Sequence, residues 1–356
     1  MARPKPIRLG ILGLGRAGWG MHCEELEGKE RLFQIAAGCD TLKEKRDRFA
    51  ARYGCPVYRR AEDLVADPNV EMVAVATRSV DHLEHARMAL AAGKHVFQEK
   101  PITVDYGEAK RLAAAAKRSK GGLFIRHNRR NEPAFLHIRE IMASGILGDV
   151  FEVRLMRGGY ARRDDWQTLK RFGGGQMLNW GPHLVDHLLR MLDAPIRSMW
   201  SDLKRVAAVG DAEDHLRIVA TGTNGRVVDM TVSGGAAIMG PDYLIWGTRG
   251  ALECSGNTIT VKYLDPRRKL PARRPKPGDP GATFGSPEKL PWIEKTFQTR
   301  PKRIWDIWDE LYATVRQGTR FPVTLEEALE VMKVISAAKR GTAFQTPKRR
   351  RKAQGR

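Results

Sequence analysis

Residues 7–18 read IRLGILGLGRAG, an apolar run followed at once by a glycine-rich turn. The turn is Gly13-Leu14-Gly15-Arg16-Ala17-Gly18, with the spacing G-x-G-x-x-G. In this spacing the first glycine permits a tight turn, the second lets the backbone approach a pyrophosphate, and the third lets a helix pack closely on the strand. The anion then lies at the N-terminus of that helix, where free N–H groups favour negative charge. The stretch therefore predicts the start of a dinucleotide-binding domain.

A carboxylate stands where such a domain contacts the adenosine ribose. Asp40 closes the second apolar run, 22 residues after Gly18, and a carboxylate there accepts hydrogen bonds from ribose hydroxyls and repels a 2′-phosphate. Lys43, Lys45 and Arg46 follow. These basic residues either weaken the preference for a cofactor without a 2′-phosphate or form a solvated helix face. We expect NAD as the cofactor, with NADP disfavoured.

The first third of the chain alternates predicted strands (7–12, 33–38, 71–76, 95–98 and 123–126) with predicted helices (17–26, 42–53, 80–92 and 106–120). This alternation predicts βαβ units and a doubly wound parallel sheet. After about residue 128 the strand-like runs become longer, and turn signals such as 223–225 separate them. We therefore predict a second, α+β domain with a mostly antiparallel, open sheet.

The predicted domain boundaries follow from this change. Residues 1–128 form the nucleotide-binding domain, and residues 129–344 form the α+β domain, interrupted at 264–303 by a surface insertion rich in proline and basic residues. Residues 345–356 are a basic tail, which we expect to be disordered.

The net charge is +21, from 62 Lys and Arg against 41 Asp and Glu. A balance this basic raises nucleic acid, an anionic membrane or an anionic substrate as partners. No nucleic-acid module accompanies the charge, and no apolar run approaches the ~20 residues of a membrane-spanning helix. We expect neither nucleic acid nor membrane as a partner.

Cysteine usage gives the expected compartment. Cys23, Cys39, Cys55 and Cys254 form no C-x-x-C pair and have no histidine at metal-ligand spacing. The pattern predicts neither a metal site nor a disulfide framework, and it fits the reducing cytoplasm.

Further motifs follow the glycine turn in order: residues 77–82, Glu99-Lys100-Pro101, Asn128-Arg129-Arg130 with Pro133, and Gly173-Gly174-Gly175 leading to Asn179, Gly181, His183 and Asp186. With these motifs the sequence resembles the Gfo/Idh/MocA family, which includes glucose-fructose oxidoreductase and inositol dehydrogenase, over about residues 7–344. The resemblance implies a Rossmann domain and a second domain for substrate binding and oligomer contacts. It also implies NAD(P)-dependent oxidation or reduction of sugars, cyclitols or related compounds by a homodimer or homotetramer.

Lys100 follows a predicted strand at its C-terminal end, where open α/β sheets bind ligands. Pro101 biases Lys100 away from helical geometry. On these grounds alone a surface lysine before a turn is the better interpretation. The resemblance instead makes Lys100 the catalytic lysine, with Glu99 lying near the nicotinamide and orienting it.

Pro182 suits the first turn of a helix, which then carries His183, Asp186 and Arg190 on one polar stripe. Such a stripe needs water, partners or a ligand cavity. A hydrogen-bonded core histidine is the alternative. The dipole at a helix N-terminus disfavours imidazolium and would keep His183 neutral at pH 7. The resemblance implies that His183 is the general acid/base.

Two departures from the family pattern affect the expected site. Asn179 stands where the family often has an aspartate, and an amide orients substrate but takes no proton. Arg78-Ser79 replaces Pro-Asn, so that Arg78 either meets an anionic group or points into solvent. His82 fits the family position beside the nicotinamide, with helix-cap packing as its alternative.

The expected site residues fall into three sets. Lys100 and His183 are catalytic. The expected substrate contacts are Asn179, Asp186, Arg129 and, on the loop before the triple glycine, Tyr160, Arg163, Asp165 and Trp166. The expected cofactor contacts are Gly13, Leu14, Gly15, Arg16, Ala17, Gly18, Asp40, Thr77, Arg78, Ser79, His82, Glu99 and Lys100.

The expected reaction is hydride transfer between nicotinamide and a carbinol or carbonyl carbon of a sugar, cyclitol or related polyol. Two alternatives stay open. One is a lyase or glycoside-cleaving enzyme that returns the hydride from tightly held NADH, and the other is an NAD-binding sensor. Retention of Lys100 and His183 argues against the sensor.

Overall fold

The computed structural model describes residues 5–275 and 288–346. Nearly all of the predicted basic tail and the middle of the predicted insertion lie outside these residues. Among the described residues, no helix is both long and apolar enough to cross a membrane.

The N-terminal domain is a six-stranded parallel sheet flanked by helices. Its strands are β1 (Ile7–Leu12), β2 (Phe33–Cys39), β3 (Val57–Tyr58), β4 (Met72–Val75), β5 (His95–Gln98) and β6 (Leu123–Ile125), in the order β3-β2-β1-β4-β5-β6. Its helices are α1 (Lys43–Tyr53), α2 (Ala61–Ala66), α3 (His82–Ala91) and α4 (Tyr106–Ala116). The strand order reverses between β1 and β4, which is where an open α/β sheet binds ligands.

The segment after the glycine turn differs from the predicted α-helix over 17–26. Gly18–Cys23 forms a π-helical segment, which continues into a short helical turn. A Cβ at Gly18 would lie only 1.9 Å from the carbonyl oxygen of Gly13. The turn and the segment thus pack at backbone distance, and only glycine fits between them.

The second domain is a mostly antiparallel sheet of eight strands. They are β7 (Val150–Gly158), β8 (Ile196–Lys204), β9 (His215–Gly222), β10 (Val227–Ser233), β11 (Tyr243–Gly247), β12 (Gly250–Ser255), β13 (Thr258–Leu264) and β14 (Trp292–Gln298). The order is β14-β13-β12-β11-β7-β10-β9-β8, and only β7 and β10 pair in parallel. The predicted fold class is therefore confirmed.

Strand β14 falls inside the stretch interpreted as a surface insertion, 264–303. It pairs with β13 from Thr258↔Gln298 to Leu264↔Trp292. Its exposed, mostly polar residues hide the strand in the sequence, because an edge strand has little surface to bury.

The remaining helices are α5 (Pro133–Ala143), α6 (Gln176–Asn179), α7 (Gly181–Leu192), α8 (Ile307–Gln317) and α9 (Leu325–Lys339). Every residue of α7 except Arg190 is buried, between the second sheet and α9. The last helices return to the first domain: Trp308 of α8 packs edge-on against Phe97 of β5, with ring centroids 4.6 Å apart. This packing fixes the two domains around a shared cleft.

Candidate active site

A cavity of about 720 Å³ lies between the two domains, at the carboxyl ends of β1, β4 and β5. The glycine turn and Asp40 line one end, and Lys100, Asn179 and His183 line the other. Residues separated by more than 160 positions in the chain therefore face one space.

The glycine turn has the geometry of an anion cradle. Gly13 has a φ of +97°, and a Cβ there would lie 2.8 Å from the carbonyl oxygen of Ala76. A Cβ at Gly15 would meet only the Lys45 ammonium, at 3.9 Å. Within the described part of the chain, the backbone N–H groups of residues 15–17 donate to no acceptor. Free N–H groups facing open space fit the pyrophosphate of a dinucleotide.

Asp40 lines the cavity beyond the turn, and it also builds the turn. Its Oδ2 accepts from the Leu14 N–H at 3.0 Å, and its Oδ1 accepts from the Leu42 N–H at 3.0 Å. Lys45 Nζ lies 3.5 Å from Oδ2. The carboxylate is thus held in place by the backbone, and Lys45 partly offsets its charge.

The other two cations beyond Asp40 point elsewhere. Lys43 pairs with Asp47 on the exposed face of α1, at 2.6 Å. Arg46 donates to the carbonyl oxygens of Asp40 and Thr41. Of the three basic residues that follow Asp40, only Lys45 lines the cavity.

Leu14, Ala17 and Gly18 complete the turn in different ways. Ala17 lines the cavity, whereas the buried Leu14 and Gly18 do not. Leu14 and Gly18 shape the turn from behind. Arg16 lines the cavity and donates from Nη2 to Gln167 Oε1 of the second domain, at 3.4 Å.

Lys100 follows β5 directly, and its side chain reaches across the cleft. Its Nζ donates to the Asn179 carbonyl oxygen at 3.1 Å and lies 3.5 Å from Asn179 Oδ1. Burial lowers the pKa of Lys100 to about 8, and the cations Arg126, Arg16 and Arg129 act in the same direction. The neutral amine is therefore available near physiological pH, as a general base requires.

Glu99 anchors the segment that carries Lys100. Its Oε1 contacts Arg126 Nη1 at 3.0 Å and His22 Nε2 at 2.8 Å, and its Oε2 accepts from the Lys100 N–H at 3.2 Å. Burial opposes ionisation, but the Arg126 guanidinium holds the pKa of Glu99 well below its usual range. Glu99 is a buried carboxylate that fixes the backbone of Lys100.

The partners of Glu99 were not predicted from the sequence. Arg126 is fully buried and also pairs with Glu25, 2.6 Å from Oε2. Glu25 in turn accepts from the Trp308 indole N–H of α8 at 2.8 Å. The only available signal was Arg126 at the end of a predicted strand, because a charged residue there needs a buried partner.

His183 lies in the first turn of α7 and lines the cavity. Its pKa lies well below the usual value because the ring is buried and because Lys100 and Arg129 are close. Burial, rather than the helix dipole expected from the sequence, is the main cause. Its Nδ1 is buried without a hydrogen-bond partner in the described part of the chain. A neutral, unpartnered ring at this place suits a ligand.

Asp186, which the sequence predicts to bind substrate, is paired inside the fold. Its oxygens accept from Arg130 at 2.6 and 2.7 Å, and Arg130 also pairs with Glu327 of α9 at 2.8 Å. Arg190 pairs with Glu327 as well. The polar stripe of α7 below His183 is therefore satisfied by ion pairs inside the fold, and Asp186 does not line the cavity.

Tyr160, which the sequence also predicts near the substrate, is not brought to the cavity. The residue is 61% exposed, forms a bridge with Gly235 and lies outside the cavity lining. The strand pairing fixes this part of the loop to the sheet, away from the cleft.

The next part of the same loop does reach the cleft. Arg163 and Trp166 line the cavity, and Asp165 stands behind them, bonded to Arg163 at 3.1 and 2.6 Å. Gln167, which was not predicted, accepts from Arg163 at 2.6 Å and lies 3.4 Å from Asn179 Oδ1. The contacts of Gln167 with Arg16 and Asn179 thus span both ends of the cavity.

Arg129 lines the cavity at the same end. Its guanidinium lies 4.2 Å from the centre of the Trp180 ring, and Nη1 contacts Glu132 at 3.3 Å. The Trp180 ring stands edge-on to His183, with centroids 6.1 Å apart. Arg129 is thereby held close to the imidazole.

Residues 77–82 follow β4, where Thr77, Arg78, Ser79 and His82 all line the cavity. Arg78 stacks on Phe172 of the second domain, 4.1 Å from the ring centre. Both ring nitrogens of His82 contact backbone carbonyl oxygens, Pro101 at 2.7 Å and Thr77 at 3.1 Å. His82 therefore ties together the two loops that end β4 and β5.

Comparison with known proteins agrees with this architecture. Residues 7–127 match the family model "Oxidoreductase family, NAD-binding Rossmann fold", and residues 135–253 match the model of the GFO/IDH/MocA C-terminal domain. The uncharacterized oxidoreductase C26H5.09c of Schizosaccharomyces pombe is 32% identical over 78% of this chain and 76% of its own length.

Two further relatives extend over most of the chain. The scyllo-inositol 2-dehydrogenase (NADP(+)) IolW of Bacillus subtilis is 28% identical, over 93% of this chain and 92% of its own. The crystal structure of an NAD-binding protein from Listeria innocua has a TM-score of 0.76 at 26% identity and covers 94% of both chains. The two family models and these relatives lead to one assignment: this chain belongs to the Gfo/Idh/MocA family of NAD-binding oxidoreductases.

Proposed function

We propose that the protein transfers a hydride between NAD and a carbinol or carbonyl carbon of a sugar, cyclitol or related polyol. One observation carries this proposal: Lys100 and His183, from different domains, line the cavity that begins at the glycine turn. The name of the relative IolW, an inositol dehydrogenase, supports the polyol class.

The glycine turn would hold the pyrophosphate of NAD through the N–H groups of residues 15–17, and the loops that end β4 and β5 would border the nicotinamide. NAD, when bound, supplies the hydride-accepting ring. In the oxidative direction Lys100 takes the hydroxyl proton at Nζ, and its lowered pKa of about 8 makes the neutral amine available. Asn179 positions that amine through its carbonyl oxygen, at 3.1 Å.

The role of His183 follows from its neutral state. Since its pKa lies well below the usual value, the ring donates or accepts a hydrogen bond without carrying charge at pH 7. We propose that it binds the reacting oxygen beside Lys100. Asn179 has an amide and takes no proton, so proton movement rests on Lys100.

We propose NAD as the preferred cofactor because the carboxylate of Asp40 lines the cavity beyond the turn. The neighbouring Lys45 ammonium, at 3.5 Å, weakens the discrimination against NADP. The partner is a small molecule, with no part for nucleic acid or membrane.

We also propose a homodimer or homotetramer joined through the outer face of the second sheet. Trp200 is 55% exposed, and strand register places it in one row with Val219, Asp229 and Arg154 on that face. The oligomeric mass of Trp200→Glu, measured by light scattering, tests this: a smaller particle supports the interface, and an unchanged one contradicts it.

Substitution of Lys100 tests the reaction. Lys100→Ala should lower the turnover number about 10²- to 10⁴-fold, as removal of a general base does, while NADH binding, read from nucleotide fluorescence, stays within a few-fold. Lys117→Ala, at an exposed lysine of the first domain, is the matched control and should keep full turnover.

The substrates for this test come from a screen of sugars, cyclitols and sugar acids by absorbance of reduced nicotinamide. Wild-type turnover in Lys100→Ala would contradict the assignment. Product formation without net NADH would favour the hydride-recycling alternative.

A further inference from the structure

Cations outnumber carboxylates in the wall of the cavity around Lys100, and Glu99, a carboxylate in that wall, is bound to Arg126 and His22. Arg129 and Arg163 line this end together with Lys100, beside neutral residues such as Asn128, Trp166 and Asn179. The carboxylates that contact the two arginines, Glu132 and Asp165, are not part of the lining. Within the described residues, both arginines therefore contribute to the cavity wall, whereas the carboxylates that pair with them do not.

The two arginines differ in how well their charge is balanced. Two nitrogens of Arg163 donate to Asp165, at 3.1 and 2.6 Å, so the charge of Arg163 has a close counterion. Glu132 is shared: it contacts Arg129 at 3.3 Å but Arg157 at 2.7 Å. Within the described residues, the one carboxylate that contacts Arg129 is therefore Glu132, which lies closer to Arg157 than to Arg129.

A cation–π contact with Trp180 holds the Arg129 guanidinium in place, with its carbon 4.2 Å from the ring centre. In the described part of the chain, only Nη1 has a hydrogen-bond acceptor. A flat, fixed guanidinium with free N–H groups along its edge is the geometry that binds a carboxylate by two parallel hydrogen bonds. The edge-on contact of Trp180 with His183 places this group close to the reacting end of the cavity.

We infer that the substrate carries a carboxylate, bound by Arg129, and is therefore a polyol acid rather than a neutral sugar. This inference rests on the proposed function. A singly charged group is favoured over a phosphate because, of the described Arg129 and Arg163, Arg163 has a close counterion and Arg129 does not.

Matched pairs of compounds test the inference: glucose with glucuronate, galactose with galacturonate, and mannose with mannuronate. Two quantities are measured for the wild type: kcat/KM from NADH absorbance, and the dissociation constant for the complex with NADH from nucleotide fluorescence. For at least one pair, kcat/KM should be about 10- to 100-fold higher for the acid than for its neutral partner, and the dissociation constant about 10- to 100-fold lower, as expected for hydrogen bonds between charged groups.

Variants then locate the effect. In Arg129→Gln, the ratio of kcat/KM for the acid to kcat/KM for the neutral sugar should fall close to one. Arg129→Lys should keep part of the preference for the acid, because an ammonium keeps the charge but loses the two-point geometry. Arg162→Gln, at an exposed arginine on the same loop as Arg163, is the control and should keep the wild-type ratio. NADH binding by each variant confirms that the fold is intact.

The two readouts separate failure of the inference from failure of the proposed function. Equal binding of acid and neutral sugar by the wild type, or an unchanged ratio in Arg129→Gln, overturns the carboxylate site and leaves hydride transfer standing. Tight binding of an acid that yields no NADH supports the carboxylate site and counts against the proposed reaction.

Discussion

The glycine-turn end of the cavity and its Lys100 end differ in which atoms face the space between the domains. At the glycine turn the backbone is exposed: residues 15–17 present N–H groups, and Gly13 and Gly18 stand where any side chain would strike a carbonyl oxygen. At the other end side chains face the cavity, and buried ion pairs hold them. We therefore expect cofactor binding to depend on the shape of the backbone, and the proposed chemistry to depend on a network of charges.

We predict the largest effect for a substitution that disrupts the buried charge network and leaves the glycine turn intact. Arg126→Met would leave the buried Glu99 and the mostly buried Glu25 without their shared cation. We expect a loss of about 3–5 kcal/mol in the free energy of unfolding, measured by urea denaturation. The exposed Arg118→Met is the control. A loss below about 1 kcal/mol would show that the network is not needed for the fold.

The next substitution alters the glycine turn and leaves the charge network intact. Gly15→Ala adds a methyl group that meets no protein atom closer than 3.9 Å, so stability should be unchanged, while the methyl blocks approach of the pyrophosphate. We expect NADH to bind about tenfold more weakly, or 1.4 kcal/mol. Gly20→Ala adds the same group where nothing lies within 4 Å and is the control. Equal NADH affinity in both variants would refute the cradle.

We predict a smaller effect for a substitution that changes the charge next to Lys100. Asn179→Asp places a carboxylate where Oδ1 lies 3.5 Å from Lys100 Nζ. A nearby negative charge favours the ammonium, so the pKa of Lys100 rises from about 8, by about one unit or more. The oxidation rate of the wild type should rise with pH and level off above that pKa. In the variant the rise should move to higher pH, and a shift to lower pH would contradict the account.

The smallest effect concerns the ribose end. Lys45→Ala removes the ammonium 3.5 Å from Asp40 and leaves the carboxylate uncompensated. Since Lys45 is partly exposed, we expect only about a threefold increase in the preference for NADH over NADPH. Lys43→Ala, whose side chain pairs with Asp47 instead, is the control. A preference that moves toward NADPH would show that Lys45 has another role.

The two ends also differ in how far the sequence predicts them. The parallel sheet and the glycine turn could be predicted closely, because strand periodicity and backbone crowding dictate residue types locally. The predicted strands 7–12 and 95–98 coincide with β1 and β5. The conformation of these strands and of the turn depends on residues close by in the chain, and a local sequence pattern shows those residues.

The Lys100 end could be predicted only through motifs. The sequence pointed to Lys100 and His183, but not to Gln167 or the buried Arg126, whose partners Arg16 and Glu25 lie far away in the chain. The ion pair of Asp186 could not be predicted, because helical spacing gives the face of α7 but not the residue opposite it, Arg130. The partner of a buried charge is a property of the tertiary structure, and no local pattern records it.

A crystal structure of the complex with NADH and a bound polyol acid tests the central claim most directly, because that claim is spatial. We expect the pyrophosphate against residues 15–17, with the reacting oxygen about 2.6–3.2 Å from Lys100 Nζ and His183 beside it. A nicotinamide ring outside the cavity, or a substrate oxygen far from Lys100 while Nζ still binds Asn179, would contradict it.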